Sequence, residues 1–86
     1  MLGNKINDAF GKVLRNLRKE SGLSQEKLAL EADLQRNYIS LIELGQNQPT
    51  LTTIYKLSGA LGIKTTQLMQ LVDDELNSKK INSKPL

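Results

Sequence analysis

Cysteine and histidine are both absent from this 86-residue chain. Without cysteine there is no disulfide staple and no thiolate metal site. Without histidine the commonest general base and the commonest metal ligand are gone as well. The carboxylates that remain do not fall into ligand-like spacing. These absences argue against an enzyme and against any metal or other cofactor. Long apolar runs are missing too. The N-terminal MLGNKINDAFGKVL holds no apolar core of signal-peptide length, and no run approaches membrane-spanning length. The expectation is a protein that stays in the cytoplasm and off the membrane. Internal repeats, low-complexity blocks and the two-residue alternation of a half-buried strand are likewise lacking.

What is present suits one small globule. With 38% apolar and 24% charged residues, the chain can bury a modest core but not a deep substrate cleft. Its net charge of +3 is unevenly spread. Residues 1–22 carry Lys5, Lys12, Arg15, Arg18 and Lys19 against Asp8 and Glu20. Residues 23–50 are acidic on balance, with Lys27 and Arg36 against Glu26, Glu31, Asp33 and Glu43. The last ten residues add Lys79, Lys80 and Lys84. The ordered body is therefore about neutral, with its positive charge gathered in the first segment, a weak pointer to a polyanion.

Three-and-four spacing predicts five helices. The first is expected over about 8–21, where Ile6, Phe10, Val13, Leu14 and Leu17 form one stripe and Gly22 ends it. Ser24 caps a second, about 25–32, with Leu23 and Leu28 spaced as a hydrophobic staple. Gln35 caps a third, about 36–44, and Gly45 and Pro49 stop it. Thr50 caps a fourth, about 51–61, with Leu51, Ile54, Leu57 and Leu61 expected on its buried side and Gly62 after it. The fifth is expected over about 66–76. Residues 1–76 then make one domain, and the basic, proline-containing 77–86 is expected as a flexible tail.

The pair at 25–44 meets the demands of a helix-turn-helix. Two helices crossing steeply over a short turn need a small contact residue, and Ala29 fits. The turn needs a residue that tolerates positive φ, which Asp33 can supply. Leu34 plugs the junction. Ile39 and Ile42 give the second helix a narrow buried stripe and leave Arg36, Asn37, Ser40, Leu41 and Leu44 mostly outward. Such a pair can push the start of a helix into a major groove.

The stretches LSQEKLA, YISLIE and TIYKLSGALGI, in this order and spacing, resemble the lambda-repressor/Cro-like (XRE) helix-turn-helix regulators over about residues 7–72. The resemblance implies an all-α, compact five-helix DNA-binding domain with its third helix as recognition helix. It implies base-edge contacts from Gln35, Arg36, Asn37, Ser40 and Leu41. By their chemistry, Arg36 suits guanine, Asn37 suits adenine or phosphate, and Leu41 suits a thymine methyl. Phosphate contacts are implied for Ser24 and Gln25 at a helix N-terminus, and for Gln46 and Asn47 in the loop after the recognition helix. Tyr38 and Arg15 are further phosphate candidates. The resemblance also implies an ion pair between Arg18 and Glu43 that orients the third helix. Two positions depart from the family pattern: Asp33 stands where glycine is usual, and Leu44 where a basic or amide residue is frequent.

The expected function is thus a sequence-specific regulator that binds double-stranded DNA without catalysis. Leu68, Met69, Val72 and Leu76 offer more apolar surface than one face of a terminal helix needs, so part of it is expected to close a homodimer on a palindromic operator. By resemblance the bare domain suits a restriction–modification controller, a phage or mobile-element repressor, or an antitoxin. No small-molecule ligand is expected. The rival class is a helical protein-interaction adaptor that has lost DNA binding, for which acidic 23–50 and apolar Leu41 and Leu44 argue.

Overall fold

A computed structural model describes residues 2–83, with side chains over 4–78. It consists of five helices: α1 (Leu2–Glu20), α2 (Gln25–Ala32), α3 (Arg36–Glu43), α4 (Leu51–Leu61) and α5 (Thr65–Ser83). No strand occurs among the described residues, so the all-α expectation holds. Local chemistry sets most of the boundaries. Ser24 Oγ accepts from the Lys27 N–H at 3.0 Å, and Thr50 Oγ1 accepts from the Thr53 N–H at 3.1 Å. Each bond satisfies a donor that a helix start leaves without a partner. Gln35 caps α3 through backbone geometry alone and makes no side-chain cap bond.

The core draws on all five helices. Leu14, Leu28, Ile39, Ile42, Leu57, Leu68 and Val72 are sealed from solvent, and Phe10 and Ala29 lie among them. α1 packs on α5 along one side and on α3 along another, while α2 bridges α3 and α4.

Four expectations are corrected. α1 begins at Leu2 rather than near Asp8, so Ile6 lies within it. Asn7 and Asp8 serve tertiary contacts: Asn7 Oδ1 accepts from Gln48 Nε2 at 3.2 Å, and the Asp8 carboxylate lies against Gly45. α5 runs to Ser83, so 77–83 continues the helix instead of leaving it as a tail. No glycine or proline interrupts that segment before Pro85. Residues 84–86 lie outside the described residues.

Leu51 is 71% exposed, not part of the buried side of α4. That side is made by Thr53, Leu57 and Ser58, with Ile54 and Leu61 at its margins. Thr53 tolerates burial because its hydroxyl accepts from Thr50 Oγ1 at 3.0 Å, and the Ser58 hydroxyl donates to the Ile54 carbonyl at 2.8 Å. Lastly, Leu68 and Val72 are spent inside the chain at 0% and 1% exposure. They have no surface left for a partner; of the expected dimer residues, only Met69 and Leu76 stay half-buried.

Candidate nucleic-acid interface

Asp33 opens the site. Its φ of 56° and ψ of 50° place it in the left-handed region, the only non-glycine residue there among those described. That conformation turns the chain from α2 into α3. The N–H groups of Asp33 and Leu34 cap the carbonyls of Leu30 and Ala29 at 3.3 and 2.8 Å. Lys56 of α4 reaches the turn, with Nζ 3.8 Å from the Asp33 carboxylate and 3.4 Å from its carbonyl. A cation beside the last carbonyls of α2 is also favourable for the helix dipole.

Two contacts hold α3 from beneath. Ile39 and Ile42 are wholly buried, and Gly11 of α1 meets the last turn of α3 so closely that a Cβ there would stand 2.6 Å from the Ile42 carbonyl oxygen. Beside that crossing, Arg18 Nε donates to Glu43 Oε2 at 2.6 Å and Nη2 to Glu43 Oε1 at 3.1 Å. Arg18 Nη1 donates to the Leu23 carbonyl at 2.9 Å, and Gln25 Nε2 donates to Glu43 Oε1 at 3.0 Å. The Arg18 and Glu43 side chains are only 11% and 3% exposed. The hydrogen bonds it donates to Glu43 raise the Arg18 guanidinium above its ordinary pKa, against the lowering effect of burial. One carboxylate therefore ties together α1, the start of α2 and the end of α3.

With its rear fixed, α3 presents its leading edge. Gln35, Arg36 and Asn37 are exposed, and Ser40 and Leu41 are half-buried one turn further on. Arg36 has no ion-pair partner among the described residues, whereas Lys27 and Lys56 face Glu31 and Asp33. Tyr38 is half-buried against the core, and its phenol oxygen accepts from Thr53 Oγ1 at 3.4 Å. Its own proton can still be donated outward. The N–H groups of Gln46 and Asn47 are both spent on the Leu41 carbonyl, at 2.9 and 3.3 Å, which leaves their exposed side-chain amides for any contact. Ser24 uses its acceptor as a cap and keeps its hydroxyl proton. Arg15 is exposed on α1.

The helix-turn-helix family model matches residues 14–68, which takes in both helices of this site and the Arg18–Glu43 pair beneath them. The chain belongs to the helix-turn-helix family. Among its relatives, the control protein C.BamHI of Bacillus amyloliquefaciens is 46% identical over 67 residues, 77% of this chain and 83% of that one. The control protein C.MunI of a Mycoplasma species is 41% identical over 73 residues, 84% of this chain and 99% of that one. A crystal structure of the restriction–modification controller protein C.AhdI from Aeromonas hydrophila is 44% identical. It superposes with a TM-score of 0.70 over 72% of this chain and 94% of that one.

Within this helix-turn-helix protein, the reading of the sequence missed Gly11, the residue that lets α3 sit so close to α1. A glycine inside an amphipathic helical stripe was the available signal. It also missed the outer face of α4. There Leu51 and Tyr55 are 71% and 62% exposed, and at Gly59, one turn on, no described residue beyond the helix's own backbone comes within 4 Å of where a Cβ would stand.

Proposed function

We propose that this chain is a sequence-specific transcriptional regulator that binds double-stranded DNA as a homodimer in the cytoplasm. Each copy lays the start of α3 in the major groove of one half of a two-fold operator. The observation that carries this reading is the exposed edge Gln35–Asn37 on a helix whose rear is held by Gly11 and the buried Arg18–Glu43 pair. A recognition surface needs such rigidity, because donors and acceptors of a base pair must be met within tenths of an ångström. The likeness to control proteins favours a restriction–modification controller over a phage repressor or an antitoxin.

Base contacts are assigned to Gln35, Arg36, Asn37, Ser40 and Leu41. Phosphate contacts are assigned to Ser24, Gln25, Tyr38, Arg15 and the side chains of Gln46 and Asn47. The pairing of copies is assigned to the outer face of α4. Leu44 to Tyr55 is the longest run without a charged residue in the chain, and Leu44, Leu51 and Tyr55 are exposed in it. Gly59 in the last turns of α4 costs about 1 kcal/mol relative to alanine, and nothing among the described residues uses the space it leaves. In an antiparallel two-fold crossing centred on Tyr55, Leu51 of one copy lies over Gly59 of the other.

Selection from a random duplex library tests the reading. The retained sequences should be two-fold symmetric, with half-site centres roughly one DNA turn apart. Failure to retain any duplex at low salt would overturn it.

A further inference from the structure

The side of α1 that faces away from α3 carries a feature that DNA binding leaves unused. At 3.6 residues per turn, Val13, Asn16, Leu17 and Glu20 lie roughly half a turn round from Gly11 and Arg18, the residues that meet α3. With Leu71, Asp74 and Glu75 of α5 they line a hollow of 280 Å³. Leu17 and Leu71 also line a second hollow, of 340 Å³, with Ile63, Gln67 and Gln70. The two hollows adjoin at Leu17 and Leu71, and together they make a trough along the seam of α1 and α5. Its floor is aliphatic. Leu71 is 40% exposed in it, while its neighbours on α5, Leu68 and Val72, are sealed in the core.

Charge sets the chemistry of the trough. Glu20, Asp74 and Glu75 stand along it, and among the described residues the basic group paired with them is Lys12, whose Nζ is 3.7 Å from Glu75. Counted over the described residues, the rim is net negative on a chain of net charge +3. Such a rim repels phosphates, which excludes nucleic acid and anionic membranes as occupants. An aliphatic floor beside carboxylates is instead the complement of a short amphipathic helix with basic flanks. We propose that this trough docks a basic amphipathic helix of another protein while α3 is engaged with DNA. The inference rests on the DNA-binding reading only for the trough facing away from the duplex. A DNA-bound regulator with such a trough presents the duplex on one side and a protein partner on the other.

The test uses the full chain, labelled for NMR and bound to duplex DNA. The probe is a synthetic 14-residue helical peptide with leucines at i, i+3 and i+7 flanked by lysines. Its twin carries glutamate for every lysine. The lysine peptide should give saturable shifts at Val13, Leu17, Leu71 and Asp74. In the double variant Glu20→Lys/Asp74→Lys its affinity should fall at least tenfold, and the glutamate peptide should gain binding. The Leu71→Ser variant, which keeps every charge, should also lose the peptide. Folding of each variant is read from the same spectra, and retention of DNA by each is measured alongside. The proposal is overturned by absence of saturable shifts, by equal binding of the two peptides, or by shifts on another face. A doubling of mass that Leu71→Ser abolishes would overturn it too, since the occupant would then be a second copy. Loss of DNA binding by the wild-type chain would instead sink the regulator reading and leave the peptide result standing.

Discussion

Gly11 of α1 lies beneath the last turn of α3 with so little room that a Cβ would stand 2.6 Å from the Ile42 carbonyl oxygen and 2.7 Å from that of Glu43. Both atoms are backbone, so no side chain can swing aside to relieve the clash. Gly11→Ala gains about 1 kcal/mol of helix propensity but must push the two helices apart, and overpacking of this kind costs about 1–3 kcal/mol. A net destabilisation is expected, read as a lower urea midpoint, together with weaker operator binding as α3 tilts. An unchanged or raised midpoint would mean that α1 and α3 do not meet this closely.

The Arg18–Glu43 pair stands next to that crossing and should dominate its energetics. Glu43→Ala leaves a guanidinium that is 11% exposed with, among the described residues, only the Leu23 carbonyl to meet. Breaking a buried pair from one side costs about 3 kcal/mol. Arg18→Lys keeps the charge but loses the fork that serves Glu43 and Leu23 together, so it should also destabilise, by less. The sign of the pH dependence follows from the direction of the Arg18 shift. Its folded pKa is raised, so its contribution is fully present below the ordinary guanidinium range. It is lost only as pH rises through that higher folded value. Urea midpoints of wild type and Arg18→Lys compared between pH 6 and pH 9 should therefore keep a constant gap. A gap that closes by pH 9 would refute this.

The limits of local reading are clearest at the two ends of the chain. α2 was legible to the residue because its signals are all local: Ser24 bonds a backbone N–H three residues on, and Asp33 tolerates the left-handed turn. The start of α1 was not legible. Asn7 and Asp8 have side chains that favour helix starts, yet here they reach Gln48 and Gly45, forty-one and thirty-seven residues away. The apolar stripe of α5 showed which residues were apolar, but not which of them α1 and α4 would cover. Leu68 and Val72 went to the core, and Leu71 was left in the trough. Leu51 failed for a related reason. Thr53, with its hydroxyl satisfied by Thr50, took the buried position that apolar periodicity assigned to the leucine.

Asp33 should be replaceable with profit. A side-chain-bearing residue in the left-handed region is strained, by up to about 1–2 kcal/mol, although aspartate bears it better than most. Its carboxylate is 98% exposed and 3.8 Å from Lys56, a contact that solvent screens heavily. Asp33→Gly is therefore expected to leave stability level or raise it, while Asp33→Val lowers it by more than about 1 kcal/mol. Thermal melts of the two variants decide the matter. A clear loss in Asp33→Gly would show that the ion pair outweighs the strain.

Tyr55 and Gly59 separate subunit stability from pairing. Tyr55→Glu places a charge at the centre of the proposed two-fold seam without touching the core, since the side chain is 62% exposed. Sedimentation should give monomer mass with an unchanged melting profile at matched low concentration. Gly59→Ala should do something less intuitive. It should strengthen the isolated helix by up to about 1 kcal/mol and weaken the dimer by filling the space opposite Leu51. Wild-type chain that sediments as a monomer at tens of micromolar, or Tyr55→Glu that remains a dimer, would rule out the α4 seam.

Arg36 and Gln25 should fail in different ways on DNA. Arg36 is exposed at the start of α3 with its guanidinium uncommitted among the described residues, so it can meet a guanine edge through two hydrogen bonds. Arg36→Ala should cost about 1–3 kcal/mol at one position of each half-site and relax the preference there. Gln25 sits at the start of α2 with its amide on Glu43. Its assigned role is phosphate binding, so Gln25→Ala should weaken every duplex by a similar factor. Phosphate contacts also release counterions, so wild-type affinity should fall steeply with salt, with a log–log slope close to 0.9 per phosphate neutralised, by order-of-magnitude expectation. Titrations of both variants against the selected operator and a scrambled duplex, at two salt concentrations, measure all three quantities. If Gln25→Ala altered sequence preference while Arg36→Ala weakened all duplexes alike, the two roles would have to be exchanged.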